Sequence, residues 1–144
     1  MATKQVGLGT LVKVDDDDSG TVFTTVGEVV TVTPSGRERE LVDDTALADT
    51  LATYSPMAIE TFASFTFRQF AHYADTNHAI IDTLFAAATA TLRKVLWQLV
   101  YPYPTPVTDQ FEGWVSNISP EEIARDGIIS RTVTVQRTGA ITRT

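Results

Sequence analysis

Two β-rich runs near the end of the chain, Phe111 to Ile118 (FEGWVSNI) and Ile128 to Thr138 (IISRTVTVQRT), narrow the choice of fold more than any other segment. Only the short acidic segment SPEEIARDG separates them, so they read as a closing pair of antiparallel strands. In the second run Ile129, Val133 and Val135 share one parity, while Ser130, Thr132, Thr134 and Gln136 hold the other. A period of two marks a half-buried strand, with one face toward a core and the other toward something polar. The pattern recurs upstream with no catalytic constellation attached, so the chain reads as one built to present sheet surfaces and loops.

Thr10–Val14 and Val22–Thr33 form a first pair of strands across the turn DDDDSG, whose Asp, Ser and Gly supply turn chemistry. Gly27 interrupts the second of these and marks a bulge or a close backbone approach. Residues 35–57 read as a long, charged inter-strand loop with at most one short helix near Ala46–Ala52, capped by Thr45. Ala58–Phe70 reads as one strand, with Phe65 and Phe67 in one phase and Phe62 in the other. From Asp75 the period changes: Ile80, Ile81, Leu84, Phe85 and Ala88 make a helical stripe that Asp75, Thr76 or Asn77 can cap. Leu92–Tyr101 returns to strand and YPYPTP stops it, since proline cannot donate to a ladder. The expected fold is mainly β (α+β): an antiparallel β-sandwich or barrel with one main packed helix and a long inter-strand loop.

A chain of 144 residues is expected to make one domain, burying roughly 68–70% of its unfolded surface. Without cysteine, disulfides, thiolate metal sites and thiol nucleophiles are excluded, which fits synthesis in a reducing cytoplasm. The opening MATKQVGLGT lacks the apolar stretch of a signal peptide, and no window approaches eighteen uninterrupted apolar residues. The net charge of −7 disfavours an ordinary DNA-binding role, because the chain repels phosphate. It is also uneven: Arg131, Arg137 and Arg143 follow one another with no acid between them, a basic tail opposite an acidic head.

The segments GLGTLVKV, VFTTVGEVVTV and RELVDDTALADT, and the closing FEGWVSNISPEEIARDGIISRTVTVQRTGAI with its Thr-Gly, resemble the tail tube (major tail) proteins of long-tailed bacteriophages. The resemblance covers nearly the whole chain and rests on small, β-branched and acidic residues. It implies one tail-tube-like domain over 1–144, with an extended N-terminal arm (about 1–9), the long loop (about 35–57) and a C-terminal tail (about 139–144). It further implies a structural virion protein, made in the host cytoplasm, that forms hexameric rings stacked into a hollow tube conducting DNA. Its partners would be other copies of itself and the tape measure, terminator, and tail tip or baseplate proteins. DNA would pass without specific binding, and no cofactor, metal, catalytic residue or membrane contact is expected. Another ring-forming component, a terminator or hub, is the alternative, and a small-ligand-binding β-domain is a further one.

Within that frame Asp15, Asp16, Asp17 and Asp18 are candidates for the lumen or a ring contact. A solvated turn remains open, as does a calcium loop, although Val26 stands where that motif needs a bidentate Glu. Arg37, Glu38, Arg39, Glu40, Asp43 and Asp44, with Tyr101 and Tyr103 of the rigid YPYP segment, are candidates for contacts between subunits. Arg131, Arg137 and Arg143 are candidates for C-terminal contacts. His72 and His78 read as ordinary surface or cap residues, since their spacing does not place both on one helical face. Trp97 and Trp114 read as core.

Overall fold

The computed structural model describes residues 9–15, 22–71, 76–86 and 94–144. Its strands are β1 (Leu11–Val14), β2 (Thr24–Thr25), β3 (Val29–Thr33), β4 (Arg37–Asp43), β5 (Tyr54–Phe62), β6 (Phe65–Phe70), β7 (Val95–Tyr101), β8 (Val107–Pro120) and β9 (Ser130–Arg143). One helix, α1 (Thr76–Ala86), lies between β6 and β7. The architecture is mainly β, with a curled antiparallel sheet forming a half-barrel around the helix, as the alternating patterns led us to expect.

The large sheet runs β2-β1-β7-β8-β9-β6-β3, and every pairing in it is antiparallel. Its spine is the β8–β9 ribbon, two strands of 14 residues each, in which Val115 faces Val135 and Ile118 faces Val133. This is the closing pair visible in the sequence. Val133 and Val135 are fully buried, as their parity requires. The same parity also carries Arg131 and Arg137 to the buried face, where they are only 2% and 3% exposed. The basic tail of the sequence is therefore not a surface stripe.

Residues 22–33 do not form one strand. Thr24 and Thr25 pair with β1, and the Val26 amide donates to the Val12 carbonyl at 2.8 Å. After a turn at Gly27–Glu28 the chain joins β6 instead, the Phe70 amide donating to the Glu28 carbonyl at 2.9 Å. The two edge strands of the sheet are thus consecutive pieces of one segment that changes partner as it crosses the open side of the half-barrel. Glu28 takes φ 59° there, the left-handed conformation a sharp corner demands. Buried Gln69 braces the corner, its Nε2 donating to the Gly27 carbonyl at 3.2 Å and its Oε1 accepting from Arg131 Nε at 2.8 Å. Arg131 Nη1 then reaches Asp82 of α1 at 2.9 Å, so one buried guanidinium ties corner, sheet and helix together.

The core is aromatic at its centre. Phe65 meets Phe111 edge-on with centroids 5.2 Å apart, and Phe67 lies 6.1 Å from Trp97. Val12, Val14, Val95, Leu99 and Ile81 and Leu84 of the helix complete it. Trp97 is wholly buried and its Nε1 donates to the Gly113 carbonyl at 3.3 Å, whereas Trp114 is 45% exposed and is not core. The stripe of Ile81 and Leu84 packs inward as expected. Phe85 is half exposed, and Ala88 and the cap candidate Asp75 lie outside the described residues.

Three expectations are corrected by the strands. Residues 35–57 are not a long loop: β4 and β5 form a two-stranded hairpin of their own, and the Ala46–Ala52 tip has no helix. The Thr45 hydroxyl does not cap a helix but accepts from the Thr53 amide at 2.8 Å, closing the tip. Ala58–Phe70 breaks at Ala63–Ser64, where β5 ends and the main sheet resumes with β6. Residues 139–144 are no tail, because β9 continues through Gly139 to Arg143, and Thr108 and Thr144 exchange backbone hydrogen bonds at 2.9 Å. Gly139, at φ 78°, sits where the register with β8 shifts, so the Thr-Gly pair marks a bulge and not a strand end.

Candidate functional site

Among the described residues, the hairpin β4–β5 is the longest stretch that the rest of the fold leaves uncovered. All seven residues of β4 are exposed, as are most of β5. Arg37 pairs with Phe62, Arg39 with Glu60 and Asp43 with Tyr54, with extra β5 residues bulged opposite Glu40. Leu41, Val42, Leu47, Leu51, Tyr54, Met57 and Ile59 all lie open, Ile59 at 73% and Leu51 at 79%. An isolated two-stranded hairpin is marginal in water, and a large exposed apolar surface marks an interaction site. Glu38, Glu40, Met57, Ile59 and Thr61 enclose a shallow cavity on one face of it.

Polar contacts shape the two ends of this hairpin. At the tip the Thr45 hydroxyl, and after it the Thr45 amide donating at 3.0 Å, hold the Asp43 carboxyl below its ordinary pKa, and the Ser55 hydroxyl does the same for Asp44. At the base the Ala63 amide donates to the Gly36 carbonyl at 3.0 Å, and Ser35 donates to the Ala63 carbonyl. There Arg37 clasps both oxygens of Glu60, and its hydrogen bond holds that carboxyl below the usual range, with Arg39 and Arg137 adding to the effect. The Arg137 guanidinium stacks over the Phe62 ring at 3.9 Å. Burial pushes its pKa down, against the pull of Glu60.

The far end of the β8–β9 ribbon is locked by Asp109, 4% exposed, which accepts from Arg143 Nε at 2.6 Å and Nη2 at 2.8 Å. Those bonds hold the Asp109 carboxyl below its ordinary range. Burial and the neighbouring Asp109 push the Tyr101 phenol up. The Tyr101 and Tyr103 rings lie 6.4 Å apart, with Tyr103 42% exposed. At the opposite end of the ribbon Glu121 accepts from Arg68 Nε at 2.9 Å, Ser130 Oγ at 2.6 Å and Thr132 Oγ1 at 3.1 Å, which anchors the root of the β8–β9 loop. Among the described residues no group of three or more His, Asp or Glu side chains is arranged to hold a metal ion.

Neither a family model nor a curated protein sequence matches the chain. Solved structures do. A chain of the SPP1 tail tube superposes with TM-score 0.73 at 12% identity, covering 97% of this chain and 78% of that one. A chain from the tail of an empty GTA (gene transfer agent) particle, refined with helical and C6 symmetry, gives 0.71 at 20% identity over 98% and 99%. One from the six-fold symmetrised baseplate of the anti-feeding prophage gives 0.79 at 8% identity over 100% and 97%. The fold is that of the tail tube proteins.

Mapped onto this tail tube fold, the residues singled out in the sequence separate. Arg37, Glu38, Arg39, Glu40, Asp43 and Asp44 come together on the exposed β4–β5 hairpin, and Tyr103 lies open near the Asp109–Arg143 lock. Arg131 is engaged internally by Gln69 and Asp82, Arg137 is enclosed beneath the hairpin base, and Arg143 is tied to Asp109. Asp15 is fully buried, its amide donating to the Leu96 carbonyl at 2.9 Å, while Asp16, Asp17 and Asp18 lie outside the described residues. His72 also lies outside them. Sequence reasoning did not reach Glu60, Phe62 and Asp109. Each is defined by a partner 23 to 75 positions away in the chain (Arg37, Arg137 and Arg143), and no local spacing reveals such pairs.

Proposed function

We propose that this protein is a tail tube subunit of a phage or phage-like particle, working by self-association and not by catalysis. Copies join into six-fold rings, and the rings stack head to tail into a hollow conduit for DNA. The uncovered hairpin carries this reading: a tail tube fold that leaves Leu41, Leu51, Tyr54 and Ile59 in solvent has a partner surface to find. The C6 symmetry of the similar GTA tail supports the ring number. The β3 edge suits joining between copies as well, since it is largely exposed and pairing removes such an edge from solvent. A net charge of −7 repels phosphate, which suits a conduit that must not retain its cargo. The protein then belongs to the virion tail, beside the tape measure, terminator, and tip or baseplate proteins.

The similarity to a baseplate chain favours one second reading, a terminator or hub that makes a single ring. Size-exclusion chromatography with light scattering across concentration, followed by negative-stain microscopy of the heaviest fraction, separates the two. Stacked rings or open tubes are the expected result. One closed ring that never stacks supports the terminator or hub, and a monomer at every concentration counts against both.

A further inference from the structure

The base of the hairpin holds more positive charge than it neutralises. Arg37, Arg39 and Arg137 share the carboxylate of Glu60, with Arg37 holding both oxygens and Arg39 Nη2 standing off at 3.9 Å, and the other acid that acts on Arg137, Asp109, is already held by Arg143. Arg137 is 3% exposed, yet its hydrogen bonds are one from Nε to the Gly139 carbonyl at 3.0 Å and a long one from Nη1 to Ser35 Oγ at 3.4 Å. Among the described residues its Nη2 has no acceptor. A buried guanidinium without a carboxylate of its own is costly unless something supplies one. Beside it opens a cavity of about 200 Å³, lined by Arg37, Glu60, Phe62, Arg137, Ala140 and Ile141. On a chain of net charge −7, this cavity concentrates cations over an apolar floor.

We infer that this cavity receives a carboxylate from the β8–β9 loop of a second copy of the chain, Glu122 or Asp126. Both are exposed and neither forms an ion pair among the described residues. Ile123 and Ile128 flank them at 71% and 66% exposure, apolar partners for Phe62, Ala140 and Ile141. The loop sits where Pro120 faces Arg131, whereas the cavity begins near Arg137, ~20 Å further along the ribbon at ~3.3 Å per residue. The loop therefore cannot fill the cavity of its own copy. The contact joins two different patches, and a contact of that kind repeats from copy to copy until it closes a ring or extends a stack.

This inference rests on the tube reading, since it concerns the assembled state. Arg37→Lys keeps a cation at the cavity and makes it reactive to zero-length carbodiimide coupling with any touching carboxylate. Particles assembled from mixed 14N and 15N copies are coupled, digested and read by mass spectrometry, with Arg39→Lys as the second probe where the first does not assemble. The expected product joins position 37 or 39 of one copy to Glu122 or Asp126 of another, and it disappears in the Glu122→Gln/Asp126→Asn double variant. Coupling to Glu60 within one copy shows that the reagent reached the site. Assembled particles that yield only that internal product overturn the inference and leave the tube reading standing. Wild-type chains that never assemble remove both.

Discussion

Gly113 shows how tightly the β8–β9 ribbon is drawn at its middle. A Cβ there would lie 2.8 Å from the Gln136 carbonyl oxygen and 2.8 Å from Val135 Cγ1. Backbone cannot swing aside as a side-chain end can, so Gly113→Ala is expected to cost about 1–3 kcal/mol, in the range of core overpacking. Urea denaturation will show it as a lower midpoint at unchanged slope. Asp109 makes a different kind of prediction. Its folded pKa is depressed by Arg143, so its contribution is fully present above the unfolded value of about 3.9 and is lost as pH falls through the lower folded value. Wild type is therefore expected to exceed Asp109→Asn in stability at pH 6, with the gap closing as the pH drops below about 4. A gap that stays constant down to pH 2 would show that charge is not what Asp109 contributes.

The hairpin β4–β5 stands almost apart from the core, which settles what its removal should do. Replacing Glu40–Ile59 with Asn-Gly makes a two-residue turn closing the Arg39–Glu60 pair, a connection suited to antiparallel strands. The shortened chain is expected to melt within a few degrees of wild type, because no residue of the buried cluster is lost, and to remain monomeric by light scattering. Loss of the folded state would show instead that the hairpin supports the half-barrel. Arg37→Glu/Arg39→Glu is a gentler version: circular dichroism should stay unchanged while polymers vanish. Tubes formed by that variant would count against a role for the hairpin base. The contrast between this element and the rest explains what the sequence disclosed. β6, β7 and β9 each bury one face, so their alternation stands out in Phe65/Phe67, Val95/Trp97/Leu99 and Val133/Val135. β4 buries neither face, and RERELVD therefore reads as charged loop. β2 and β3 share one parity across Gly27, so nothing local announces that the chain changes neighbours there.

At the scale of the whole molecule, likeness to tail and baseplate chains at 8–20% identity shows that the fold is carried by alternation and turn placement more than by particular side chains. The candidate site was legible only in part: the charged residues 37–44 drew attention, but their partners Glu60, Phe62 and Arg137 come from β5 and β9 and are brought near by tertiary pairing. In the proposed reading, a half-barrel with a bare apolar hairpin and clustered arginines at its root is completed by a neighbouring copy. Helical reconstruction by cryo-electron microscopy of the heaviest assembled fraction tests this most directly. A hollow tube of stacked six-fold rings is expected, in keeping with the C6 symmetry of the similar GTA tail, with the β4–β5 hairpin buried against a neighbouring copy. A particle whose hairpins remain in solvent, or a solid filament without a lumen, would contradict it.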